Sequence, residues 1–121
     1  MYKNSLAAVL LFAFWPATSN GGWLGFRNDT QAVIVVQQSY VVNNQVVPGR
    51  PRVLYPGEVN WDSVIHPCVR TIAVYDPRQP QRPLYQEKLS CGAHDLFYTV
   101  KPAGAGLVQF EKASLPSGKK P

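Results

Sequence analysis

The chain has 121 residues, a net charge of +5, 45% apolar residues and only 16% charged ones. That length holds one domain, and the apolar content excludes intrinsic disorder. Eleven prolines and nine glycines suit short strands and turns better than long helices.

Residues 1–19 read as a secretory signal peptide. Lys3 supplies a short positive region, residues 6–15 (LAAVLLFAFW) are uninterruptedly apolar, and Pro16 then breaks the run. Ala17-Thr18-Ser19 offers small residues for cleavage. Ten residues of helix span about 15 Å, half the hydrocarbon core, so no transmembrane anchor is expected in the mature chain. Losing Lys3 leaves a mature charge of +4. The expected location is secreted or periplasmic.

A β domain is expected over residues 20–113. Residues 23–26 start a first strand, and Asn28-Asp29-Thr30 reads as a turn. The same three residues form a glycan acceptor sequon, relevant only in a eukaryotic host. Residues 32–42 (AVIVVQQSYVV) carry the strongest strand signal: dense β-branching without a helical period. Asn43-Asn44 suits a tight hairpin, and residues 45–48 begin the return strand. Pro48, Gly49 and Pro51 interrupt it before a short segment at 52–55.

Pro56-Gly57 has the residues of a type II turn. The alternating run 59–65 follows, with Trp61 as the expected large core residue of this half. Two strands, 68–76 and 84–90, flank the proline-rich connection 77–83. Residues 95–101 and 107–112 make a terminal hairpin around Ala-Gly-Ala-Gly. Leu96, Tyr98 and Val100 share one face, opposed by Val108 and Phe110. Residues 114–121 read as a flexible basic tail. The sum is a small antiparallel β-sandwich, immunoglobulin-like, with seven to eight short strands.

The chain's only cysteines, Cys68 and Cys91, close the 68–91 stretch at its ends, with His66 and His94 just outside. A symmetric return centred between Gln79 and Pro80 sets Val74 opposite Tyr85 and Cys68 opposite Cys91. Opposed residues on antiparallel strands have Cα atoms about 4.5–5.5 Å apart, within disulfide range. In an oxidising compartment the pair is expected to bond. Pro77, Pro80 and Pro83 also fit a polyproline helix, whose period is three. Such a stiff connection would carry the chain from one sheet to the other and leave the bond as an inter-sheet bridge.

The alternative for these residues is a zinc or copper site using His66, Cys68, Cys91 and His94. Copper is the poorer fit, because the mature chain has no methionine for an axial ligand.

No nucleophile elbow, His-Glu-x-x-His pair or phosphate-binding glycine loop is present, and seven acids are scattered along the chain. His94 and Asp95 are neighbours that point to opposite faces of a strand. No enzyme and no cofactor are expected. The cations are spread along the chain, and export argues against a nucleic-acid partner. The expected role is a non-enzymatic binding module for a protein or an anionic envelope polymer. Arg78 and Arg82, in the proline-rich connection, are the first contact candidates, and Arg50 and Arg52 are the second.

Overall fold

The structure is a computed structural model and describes residues 22–115. The signal peptide, its cleavage site and all but the first two residues of the tail lie outside that range. The described residues form nine strands and no helix. They are β1 (Gly22–Asn28), β2 (Ile34–Val42), β3 (Gln45–Pro48), β4 (Arg52–Leu54), β5 (Val59–Val64), β6 (Cys68–Tyr75), β7 (Tyr85–Cys91), β8 (Leu96–Gly104) and β9 (Leu107–Lys112).

Two sheets pack face to face. One has the order β5-β1-β8-β9; the other has β3-β2-β6-β7, with β4 also paired to β2. The expected sandwich is present, with more strands than the seven or eight read from the sequence. The difference arises at residues 49–51. Pro48, Gly49 and Pro51 split one return path into β3 and β4, which pair with opposite ends of β2.

The turns follow their sequence chemistry. Asn43 and Asn44 both have positive φ, as a two-residue type I′ hairpin requires. Gly57 has φ +85°, and the Glu58 amide donates to Tyr55 O at 3.0 Å, closing a type II turn behind Pro56.

One pairing departs from the antiparallel expectation: β1 runs parallel to β8. These strands meet only after most of the domain has intervened, so no hairpin constrains their relative direction.

The core lies between the sheets. Leu24, Phe26 and Val100 from one sheet meet Ile34, Val36, Ile72 and Val74 from the other. Tyr85 and Phe110, 4.9 Å apart in an edge-on contact, close the side between β7 and β9.

Trp61 is not in this core. It pairs in register with Gly25, while its neighbours Asn60 and Asp62 pair with the core residues Phe26 and Leu24. The alternation of β5 therefore points its acids and amides inward and its indole outward. Trp61 covers Phe97 on the outer side, with ring centroids 5.4 Å apart. Arg27 also lies over Phe97, at 5.7 Å.

Asn28 ties the end of β1 to the following turn and to β4. Its side-chain amide donates to Ala32 O at 2.8 Å and Leu54 O at 3.0 Å. Its side-chain oxygen accepts from the Thr30 amide at 2.9 Å and the Thr30 hydroxyl at 2.6 Å. The residue is 0% exposed. The turn reading of Asn28-Asp29-Thr30 therefore holds, and the folded chain offers no acceptor amide for a glycan.

Candidate functional site

The 77–83 connection is a hairpin loop and not a crossover. β6 and β7 pair in one sheet, with Val74 opposite Tyr85 and Cys68 opposite Cys91. Asp76 starts the loop. Its carbonyl accepts the Gln79 amide at 2.9 Å, and its carboxylate accepts the Arg78 amide at 2.9 Å. Leu84 N donates to Val74 O at 2.7 Å and closes the loop. The prolines thus rigidify a turn whose direction Asp76 sets.

The Arg78 guanidinium clasps the same carboxylate, at 3.1 Å through Nε and 2.8 Å through Nη2. Those side-chain bonds, followed by the Arg78 amide, hold the Asp76 pKa down to about 2. Arg78 remains 85% exposed as a side chain, but its charge is already matched. Arg82 is exposed farther along the loop.

Beside this loop lies a cleft of about 410 Å³. Its walls are residues 30–34, Asp76, Arg78 and Leu84, and the β8–β9 hairpin from Pro102 to Val108. The Asn28 hydrogen bonds fix the first wall. The hairpin tip forms the third, where Gly104, Ala105 and Gly106 all take positive φ. That volume is within the usual range for a small ligand or a side chain of a partner.

The Arg50–Arg52 segment lies nearby. Pro51 shares a smaller hollow, about 200 Å³, with Pro77 and Pro80. Arg50 is exposed, while Arg52 reaches inward to Asp62 at 3.5 Å. All four sequence-nominated arginines are thus exposed, and Arg52 also pairs with Asp62 at the margin of the sheet while 44% of its side chain stays accessible.

Sequence reasoning missed a polar cluster between the sheets. Gln38 is buried; its side-chain nitrogen donates to Asp62 and its oxygen accepts from Arg70 at 2.6 Å. Arg70 also lies 5.5 Å from the centre of the Tyr40 ring. The period of two in β2 carries the signal, since Gln38 shares the inward face with Ile34 and Val36. The cluster joins the two sheets.

At the opposite end from the cleft, Cys68 and Cys91 face each other across β6 and β7. Both are thiols in the structure, so the expected disulfide is absent from it while its strand register is present. Burial pushes the Cys91 thiol above its ordinary pKa. Gly92, at φ +98°, presses against the backbone of residues 66 and 67 and leaves no room for a Cβ there. His66 and His94 are exposed. Among the described residues, no group of three or more His, Cys, Asp or Glu is placed to hold a metal ion. The set His66, Cys68, Cys91 and His94 is therefore not assembled as a site.

No helix among the described residues is long and apolar enough to cross a membrane. The chain matches no protein-family model and no curated protein.

Proposed function

We propose that this chain is an exported, non-enzymatic binding module on an immunoglobulin-like sandwich, stapled by a Cys68–Cys91 disulfide. Its ligand is a segment of another protein, which places an apolar side chain in the loop-end cleft. The single observation that carries this reading is the cleft of about 410 Å³ enclosed by three loops at one end of two packed sheets. Loops held by a rigid sandwich are where such folds place recognition.

The chemistry of the rim favours a protein over an anionic polymer. Arg78 is neutralised by Asp76, while Leu84, Leu107 and Val108 give the walls an apolar surface. Export is supported by the apolar run 6–15 and the small residues at 17–19. An oxidising compartment and the facing register of the cysteines support the bond.

The test selects binders from a random-peptide library against the immobilised chain and maps the best by amide chemical shifts. Shifts confined to residues 30–34, 84 and 104–108, abolished by Leu107→Glu, support the cleft. Enrichment of no peptide, or shifts elsewhere that Leu107→Glu leaves intact, overturns it.

A further inference from the structure

The outer face of the β3-β2-β6-β7 sheet is almost uncharged. Fourteen side-chain positions point outward, arranged in four rows across the strands. The first row is Val53, Val35 and Tyr75. The last is Val46, Val41 and Val69, which border one shallow hollow, with Ser90 at its end. The two middle rows are neutral and small or amide-bearing, apart from Lys88 opposite Thr71. A protein surface carries charge at about 25–35% of its positions, so about four would be usual here.

We infer that this face is the interface of a symmetric homodimer. The rows run apolar, polar, polar, apolar along the strands. Such an order matches itself. A face-to-face pair has its two-fold axis in the plane of contact, and the axes that keep the rows in step run close to the strand direction or close to its perpendicular. Either axis lays apolar row on apolar row, as a self-complementary interface requires.

The single charge fits as well. An axis across the strands sets Lys88 against the copy's Gln86. An axis along them sets it against Pro48. Neither arrangement opposes two lysines. A charged partner, by contrast, finds only Lys88 to pair with on the face itself, the exposed Arg50, Arg78 and Arg82 belonging to the segments that border its first row. The face is not flat: Val46, 70% exposed, stands between hollows of about 240 and 230 Å³ that it helps to line.

The area sets the strength. Strands 4.8 Å apart and rows about 6.7 Å apart give a flat area on the order of 500 Å². Side-chain relief brings this near the roughly 600–800 Å² per partner of small specific interfaces. An interface at this small end of the range belongs to the reversible class. It leaves the loop-end cleft open in both copies.

Sedimentation velocity on the purified chain tests this from about 1 to about 500 μM, the range in which weak reversible dimers form. The wild type goes from monomer to dimer. Val46→Lys and Val69→Lys, at exposed positions that leave the thermal melt unchanged, each weaken association at least tenfold. Ile65→Lys, an equally exposed apolar position off this face, behaves as wild type. A wild type that stays monomeric throughout overturns the inference, whether or not some other molecule covers the face. So does equal weakening by Val46→Lys and Ile65→Lys.

Discussion

Cys68 and Cys91 are direct cross-strand partners, six register steps from the Val74–Tyr85 pair that begins the same hairpin. Opposed residues on antiparallel strands have Cα atoms about 4.5–5.5 Å apart, so this register is compatible with a disulfide. The loop that a bond would close spans about 24 residues, which gives roughly 3 kcal/mol in the chain-entropy account. The oxidised chain is expected to melt on the order of 15 °C above a Cys68→Ser, Cys91→Ser variant. Equal melting temperatures in calorimetry would remove the staple from the account.

The reduced form should also depend on alkaline pH. Burial raises the Cys91 thiol pKa in the fold, so the folded state favours the protonated thiol. That contribution is complete below the unfolded thiol's pKa and is lost as pH rises through the folded value. Alkylation of Cys91 followed by mass should therefore begin at higher pH in the folded chain than in urea. Coincident profiles would contradict the burial.

Asn28 gives the sharpest stability prediction. Asn28→Ala removes the side-chain donor to the Leu54 carbonyl and the acceptor of the Thr30 amide, and leaves the Ala32 carbonyl with the Thr30 hydroxyl in place of two donors. A loss of about 2–4 kcal/mol is expected in urea unfolding. Expression in a glycosylating host should give a folded chain with no added sugar mass at Asn28. A modified, folded chain would show that the buried hub is wrong.

The Asp76–Arg78 clasp has a pH signature. A folded pKa of about 2 lies below the ordinary carboxylate value. The clasp therefore contributes fully above the unfolded value near 4 and is lost as pH falls through 2. Carboxyl NMR of Asp76 should titrate near 2 and move up toward the ordinary range in Arg78→Ala. An unshifted midpoint in the wild type would mean that Arg78 is free to meet a ligand directly.

Gly25 makes room for Trp61. A Cβ at this position would stand 2.6 Å from the indole and 2.9 Å from the Phe97 ring. Gly25→Ala should displace the indole, shift tryptophan fluorescence to the red and cost about 1–3 kcal/mol. An unchanged spectrum and stability would place Trp61 elsewhere.

Local chemistry in the sequence carried the hairpins. Asn43-Asn44 and the symmetric spacing around Gln79 and Pro80 each encode a hairpin turn within a few residues, and each register follows; Pro56-Gly57 encodes a turn too, but one that carries the chain from β4 in one sheet to β5 in the other. The periodic prolines left the 77–83 path open, and Asp76 decides it by capping the turn. Long-range choices were not legible. Nothing near β1 states that it will lie parallel to β8. The alternation in β5 was readable, but its hydrophobic bias favoured Trp61 as the inward residue. In the actual inward set, Asn60, Asp62 and Val64, the Asp62 carboxylate is met by Gln38 of the facing sheet and by Arg52, while Asn60 Nδ2 is buried without a partner. The cleft has the same origin: its three walls come from residues 30–34, 76–84 and 102–108, which only the folded topology brings together.

Export is the claim on which the bond, the compartment and the choice of partner all rest. Intact mass of the chain recovered outside the cytoplasm, taken with and without reductant, tests it most directly. The expected species begins at or near Asn20 and gains two hydrogens on reduction, with no metal in the native spectrum. A chain retained inside the cell with residues 1–19 intact and both thiols free to alkylate would contradict the account.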